Sequence, residues 1–175
     1  MKWILLAVAV VVAIAAIVMI VGAMLPKKHV VSRKGKFRQP PAVLWETISG
    51  PPTWRPDVRS FEELPDQNGH KTWREVDKHG QKITFERVES NPPVSMITRI
   101  ADPKLPFGGS WSHQIAPIDG GGSLLTITEA GEVYNPMFRF VSRFVIGHST
   151  SIDRYLDALG RKFGEEVSAE GQVKL

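Results

Sequence analysis

No cysteine occurs among the 175 residues, which excludes a disulfide framework, a thiolate nucleophile and any cysteine-ligated zinc or iron–sulfur site. No charge interrupts the stretch from Trp3 to Leu25, and no acidic residue precedes Glu46. Phosphate-binding glycine patterns are missing, and none of the five histidines has HExxH or other metal-ligand spacing. Gly108-Gly109 and Gly120-Gly121-Gly122 sit where hairpin turns account for them. The sequence therefore calls for no metal and no organic cofactor.

What charge there is has a particular place. Lys27, Lys28, Arg33, Lys34, Lys36 and Arg38 follow the apolar run directly. Setting aside these six and Lys2 leaves 15 of the 22 bases against all 18 acids, so the net charge of +4 belongs to this flank and the rest is slightly acidic. That distribution argues against a nucleic-acid partner, which needs a basic face on the folded body. A hydrophobic content of 42% and a charged content of 23% are those of an ordinary folded protein. The roughly 150 residues after the apolar run suffice for one domain with its own core.

As a helix, Trp3–Leu25 measures roughly 34 Å, enough for a hydrocarbon layer of roughly 30 Å. Pro26 ends it, and residues 1–26 read as a transmembrane anchor. A cleaved signal peptide is the alternative, with Lys2 as its basic start and Val21-Gly22-Ala23 as its cleavage site. The apolar stretch is, however, longer than the roughly 7–15 residues such peptides use. The excess of Lys and Arg after the span places the body in the cytoplasm by the positive-inside rule. The same flank is suited to anionic headgroups, so membrane lipids are an expected partner.

The body reads as strands followed by a helix. His29–Arg38 forms a first strand, and Pro41–Ser49 a short helix opened by proline and stopped at Gly50-Pro51-Pro52. Six strand-sized segments follow: Val58–Leu64, Lys71–Asp77, Lys82–Glu89, Val94–Ala101, Gly109–Ile118 and Ser123–Tyr134. Each is bounded by proline, glycine, asparagine or aspartate, and period-two alternation is visible in Ile83/Phe85, Trp111/His113/Ile115 and Leu125/Ile127/Glu129. The period then changes. Asn135-Pro136 opens a helix whose apolar residues, from Met137 through Phe144, Val145, His148, Ile152, Tyr155 and Leu156 to Phe163, step by three and four. One continuous helix from Pro136 to Glu166 is expected, with Gly147 marking a bend or close contact. Residues 167–175 are expected to be a flexible tail.

A curved antiparallel sheet with a long amphipathic helix across its concave face leaves a hollow between them. The order of these elements, with Gln39-Pro40-Pro41-Ala42-Val43-Leu44-Trp45, Trp54-Arg55-Pro56-Asp57-Val58 and Glu129-Ala130-Gly131-Glu132-Val133-Tyr134-Asn135-Pro136, resembles the SRPBCC superfamily. This is the START-related, helix-grip group that includes polyketide cyclase/dehydrase-like proteins. The resemblance spans residues 27–166 and implies an α+β helix-grip fold of about seven strands. It also implies a cavity for an apolar small molecule such as a lipid, quinone or polyketide; it carries no universal catalytic residues.

Candidate cavity residues are Trp73, Phe85, Arg99, Trp111, His113, Glu129, Phe144, His148 and Ile152. His113 shares its strand face with Trp111 and Ile115 and titrates near neutral pH in its ordinary state. Glu129 needs a partner if it faces inward, and Arg99 or Arg87 are the candidates. His29 and His79 are expected to be solvated. A serine triad around His148 and Ser149-Thr150-Ser151 lacks an evident acid. The expected function is membrane-anchored, non-catalytic binding or transport of an apolar molecule. The alternatives are a cyclase or hydrolase using His113 with Glu129 or Arg99, and a module that contacts another membrane protein.

Overall fold

In the computed structural model, described for residues 1–171 and for the backbone of Val173 and Lys174, the chain opens with helix α1 (Lys2–Met24). None of the apolar window of α1 is buried against the rest of the chain, and by length and composition the helix can cross a membrane. Strand β1 (Lys28–Phe37) and the short helix α2 (Pro41–Ser49) follow. Then come β2 (Val58–Gln67), β3 (His70–Asp77), β4 (Lys82–Asn91), β5 (Ser95–Ile100), β6 (Phe107–Pro117) and β7 (Ser123–Val133). All neighbours pair antiparallel, and the sheet runs β2-β3-β4-β5-β6-β7-β1, with a two-residue strand β8 (Val173–Lys174) on the outer side of β1. Strands β2 to β7 pair in sequence order, and β1 lies on the far side of β7, so the connection from β1 to β2 spans the sheet. The fold class is α+β, as expected, and the strand boundaries lie within three residues of those read from the turn residues.

The continuous C-terminal helix is the main correction. Helix α3 (Pro136–Val141) passes into a π-helical turn, Ser142–Ile146, and Gly147 then breaks the run before α4 (Thr150–Lys162). The N–H of Gly147 donates to the Ser142 carbonyl five residues back at 3.0 Å, the π-type bond that widens the helix. Gly147 itself has φ +83° and ψ 141°, a conformation that L side chains rarely adopt. The chain turns here, and the apolar stripe splits into two surfaces with different fates.

The α4 surface is buried. Ile152, Leu156 and Leu159 have no exposed surface, and they pack with Val31 and Phe37 of β1, Leu44 and Ile48 of α2, Ile115 of β6, and Leu125 and Ile127 of β7. At about 1.5–3 kcal/mol for each fully buried large apolar side chain, these three residues are the main grip of α4 on the sheet. Arg33 of β1 adds a two-pronged ion pair to Asp153 at 2.7 and 3.1 Å. The α3 and π-turn residues Phe138, Phe144, Val145 and Ile146 stay exposed instead. The segment after α4, read from sequence as flexible, returns along β1. Lys34 and Glu170 exchange backbone hydrogen bonds at 2.7 and 2.9 Å.

The end of α1 is docked on α3. Gly22 lies so close to the Pro136 carbonyl that a Cβ there would collide with it. The buried Arg139 donates from Nη1 to the carbonyls of Ala23 and Leu25 at 3.3 and 2.9 Å, and from Nη2 to that of Tyr134 at 3.2 Å. A guanidinium is thus placed on the carbonyl end of α1, where the helix dipole favours positive charge.

Candidate functional site: a cavity under the sheet

The sheet extends beyond what α4 covers. Between its β3–β6 portion, the Ser49–Arg55 segment after α2, and the α3–π-turn–α4 junction lies a cavity of about 580 Å³. That volume is in the range of small-molecule sites. Period-two alternation decides which side chains line it. Inward go Trp73 and Glu75 of β3, Phe85 and Arg87 of β4, Met96 and Thr98 of β5, Trp111 and His113 of β6, and Glu129 of β7.

Of the nine residues proposed from sequence, Trp73, Phe85, Trp111, His113, Glu129 and His148 lie on this wall. Three do not. Arg99 falls on the opposite face of β5, where its Nε donates to Glu86 at 2.7 Å and its side chain is largely exposed. Phe144 is carried outward by the π-turn and stacks on Phe140 at a centroid distance of 4.9 Å. Ile152 belongs to the solid core beneath α4. Arg55, Glu75 and Tyr155 are not singled out by the sequence, and Arg87 only as a partner for Glu129. The signal for Arg87 was available, since it continues the Ile83/Phe85 alternation by two residues.

Two clusters of polar side chains stand out on the wall. In the first, the Glu75 carboxylate accepts from Arg55 Nη1 at 3.0 Å and from Trp73 Nε1 at 3.0 Å. Arg55 also pairs with Asp57 and lies 5.7 Å over the ring of Tyr155. Tyr155 contacts Trp54 and Trp111 edge-on, and burial raises its phenol pKa. Beside this group, Arg87 donates to the Ser49 carbonyl at 2.7 Å and sits 5.8 Å over the Trp73 ring. His113 is buried with neither ring nitrogen hydrogen-bonded. Burial, followed by the positive charges of Arg87 and Arg55, pushes its pKa down to about 3, so the ring is neutral at physiological pH.

The second group lies near the end of α1. His29, expected in solvent, is instead largely enclosed: its Nε2 is 3.3 Å from Glu129 Oε1, and its ring stacks on His148 at 4.1 Å. Glu129 accepts from Ser151 Oγ at 3.2 Å, and Ser142 Oγ is 3.2 Å from His148 Nδ1. Glu129 therefore finds its partners in His29 and Ser151 rather than in either arginine. The His148 pKa is lowered, chiefly by burial and then by His29 and Arg143. Among the residues described, no group of three or more acidic or histidine side chains is arranged to hold a metal ion.

With the cavity in view, comparison with solved structures places the fold. A START superfamily protein from Mycobacterium smegmatis superposes with a TM-score of 0.59 at 18% identity, over 77% of this chain and 96% of that one. The ZhuI aromatase/cyclase from Streptomyces sp. R1128 superposes with a TM-score of 0.63 at 16% identity, over 77% and 93%. Protein XoxI from Bacillus cereus gives 0.59 at 18% identity, over 77% and 94%. No family model and no curated protein matches the sequence. The chain thus shares the helix-grip fold of these structures.

Proposed function

We propose that the protein is a membrane-anchored carrier or receptor for an apolar small molecule, held in the cavity under the sheet without chemical conversion. The observation that carries this reading is the joint between anchor and cavity. Helix α1 is docked through Gly22 and Arg139 on α3, and α3 with its π-turn supplies Phe138, Val141 and Ile146 to the cavity wall. An apolar helix of membrane length thus ends beside the cavity. The exposed Phe138, Phe144, Val145 and Ile146 lie on the same segment and suit the bilayer surface. A ligand leaving the bilayer would have a short apolar path into the cavity. The basic flank after α1 favours a cytoplasmic body.

The test is to extract the full chain in mild detergent and identify what remains bound by native mass spectrometry. A stoichiometric apolar molecule is expected, and it should be lost from a Thr98→Trp variant, which fills the cavity. A cavity that comes out empty and accepts no added apolar probe would refute the reading.

The enzymatic alternative draws on the likeness to an aromatase/cyclase and on the Glu129–His29–His148 group. The particular set of His113 with Glu129 or Arg99 does not converge: Arg99 faces out, and His113 bonds to neither. An activity of this kind would rest on Glu129, and Glu129→Gln would abolish it while leaving ligand retention intact.

A further inference from the structure

Where β3 and β4 meet the cavity, the hydrogen-bonding capacity left over is that of donors. The acid there is used: both oxygens of Glu75 accept, from Arg55 and Trp73. The donors are not. Arg87 spends one nitrogen on the Ser49 carbonyl, its Nε is buried without a partner, and among the described residues no carboxylate lies within ion-pair distance of it. His113 has both ring nitrogens unbonded and shielded from solvent. The two residues face the cavity from β4 and β6, one on either side of β5. Arg87 pairs with Thr98 and Thr98 with Trp111, two residues before His113.

A guanidinium keeps its charge in any protein environment. A purely hydrocarbon ligand would strip water from Arg87 and return nothing, leaving a buried charge uncompensated. A ligand with a singly charged acceptor removes that cost. The flanking Phe85, Met96 and Trp111 offer apolar surface to the rest of such a molecule.

We infer that the cavity selects an amphiphile with a carboxylate head, which pairs with the Arg87 guanidinium while its apolar body lies along Phe85, Met96 and Trp111. The inference rests on the reading of the cavity as a ligand site and adds the chemical class of the ligand. One uncompensated cation sets the head at one negative charge. His113, being neutral, adds no second cation beside the head.

The experiment compares radiolabelled oleate with oleyl alcohol, which has the same chain and a neutral head. Each is bound to the full chain in nanodiscs, with binding to empty nanodiscs subtracted, at a pH where the acid is ionised. Wild-type protein is expected to prefer oleate by tenfold or more. Arg87→Gln is expected to lose that preference by weakening oleate alone, and Arg87→Lys, which keeps the charge, to retain part of it. Equal affinity for acid and alcohol, or a preference that survives Arg87→Gln, overturns the inference and leaves the apolar cavity standing. Binding of neither probe above background overturns both. Should Arg87→Gln not fold, the wild-type comparison and Arg87→Lys still decide.

Discussion

His113 shows how a single side chain can be shaped for a cavity at a cost to stability. Its ring is buried and unpartnered, and two guanidinium groups act on it. In the unfolded chain the imidazole binds a proton near pH 6.5, whereas in the folded protein it resists protonation down to about 3. Between those values the unfolded state holds more protons, so stability falls as pH falls and is fully present only above about 6.5. The slope contributed by one such group is at most about 1.4 kcal/mol per pH unit. His113→Phe, which keeps ring bulk and removes the titration, should flatten this dependence. Thermal unfolding of the ligand-free full chain from pH 7 to pH 4 would measure it. If wild type and variant lose stability in parallel over that range, the account of His113 is wrong.

At the scale of elements, the break at Gly147 decides which part of the C-terminal segment is core and which is surface. The sequence carries one apolar stripe at helical spacing from Met137 to Phe163, and nothing in that spacing marks where the chain turns. Glycine at position 147 is the sole local sign, and it marks a helix bend and a helix end equally well. Phe144 was placed in the cavity because a continuous helix would aim it there; the π-turn sends it outward. Strands were more legible, because turn residues bracket each of them and the period of two fixes the face. That rule put Trp73, Phe85, Trp111, His113 and Glu129 on the wall and extends without change to Arg87. It also puts Arg99 on the outer face, because Arg99 alternates with Thr98, an inward residue opposite Trp111. The pairing of His29 with Glu129 was not legible, because it depends on β1 crossing to lie beside β7. For Gly147 the expectation is specific. An alanine there meets nothing closer than Thr150 Oγ1 at 3.5 Å, so the cost is backbone strain at φ +83° and not collision. Gly147→Ala should destabilise the chain by about 1–3 kcal/mol, read as a lowered thermal midpoint. A neutral effect would mean that the junction readily adopts another conformation.

For the whole molecule, the joint between α1 and α3 sets which end of the domain lies beside the apolar helix. Val133, the last residue of β7, bonds through its N–H to the Lys27 carbonyl just after α1. The other end of β7 leads back to the Asp119–Gly122 turn, about 35 Å away at roughly 3.3 Å per residue. If the domain stands on the bilayer as the anchor reading requires, the π-turn lies at the headgroups and the Asp119 turn stands clear in water. The absence of native cysteine makes this directly measurable, because a single introduced thiol takes an environment-sensitive fluorophore without competition. In nanodiscs, a probe on Val145→Cys should show blue-shifted emission and be quenched by lipids carrying nitroxides in their chains. The same probe on Asp119→Cys, at an exposed turn, should show neither effect. Equal, water-like emission from both sites would detach the cavity from the bilayer, even if α1 spans it. Emission shifted at Val145 alone would place the apolar π-turn in the bilayer, and would make the segment that lines the cavity also the segment that touches the membrane.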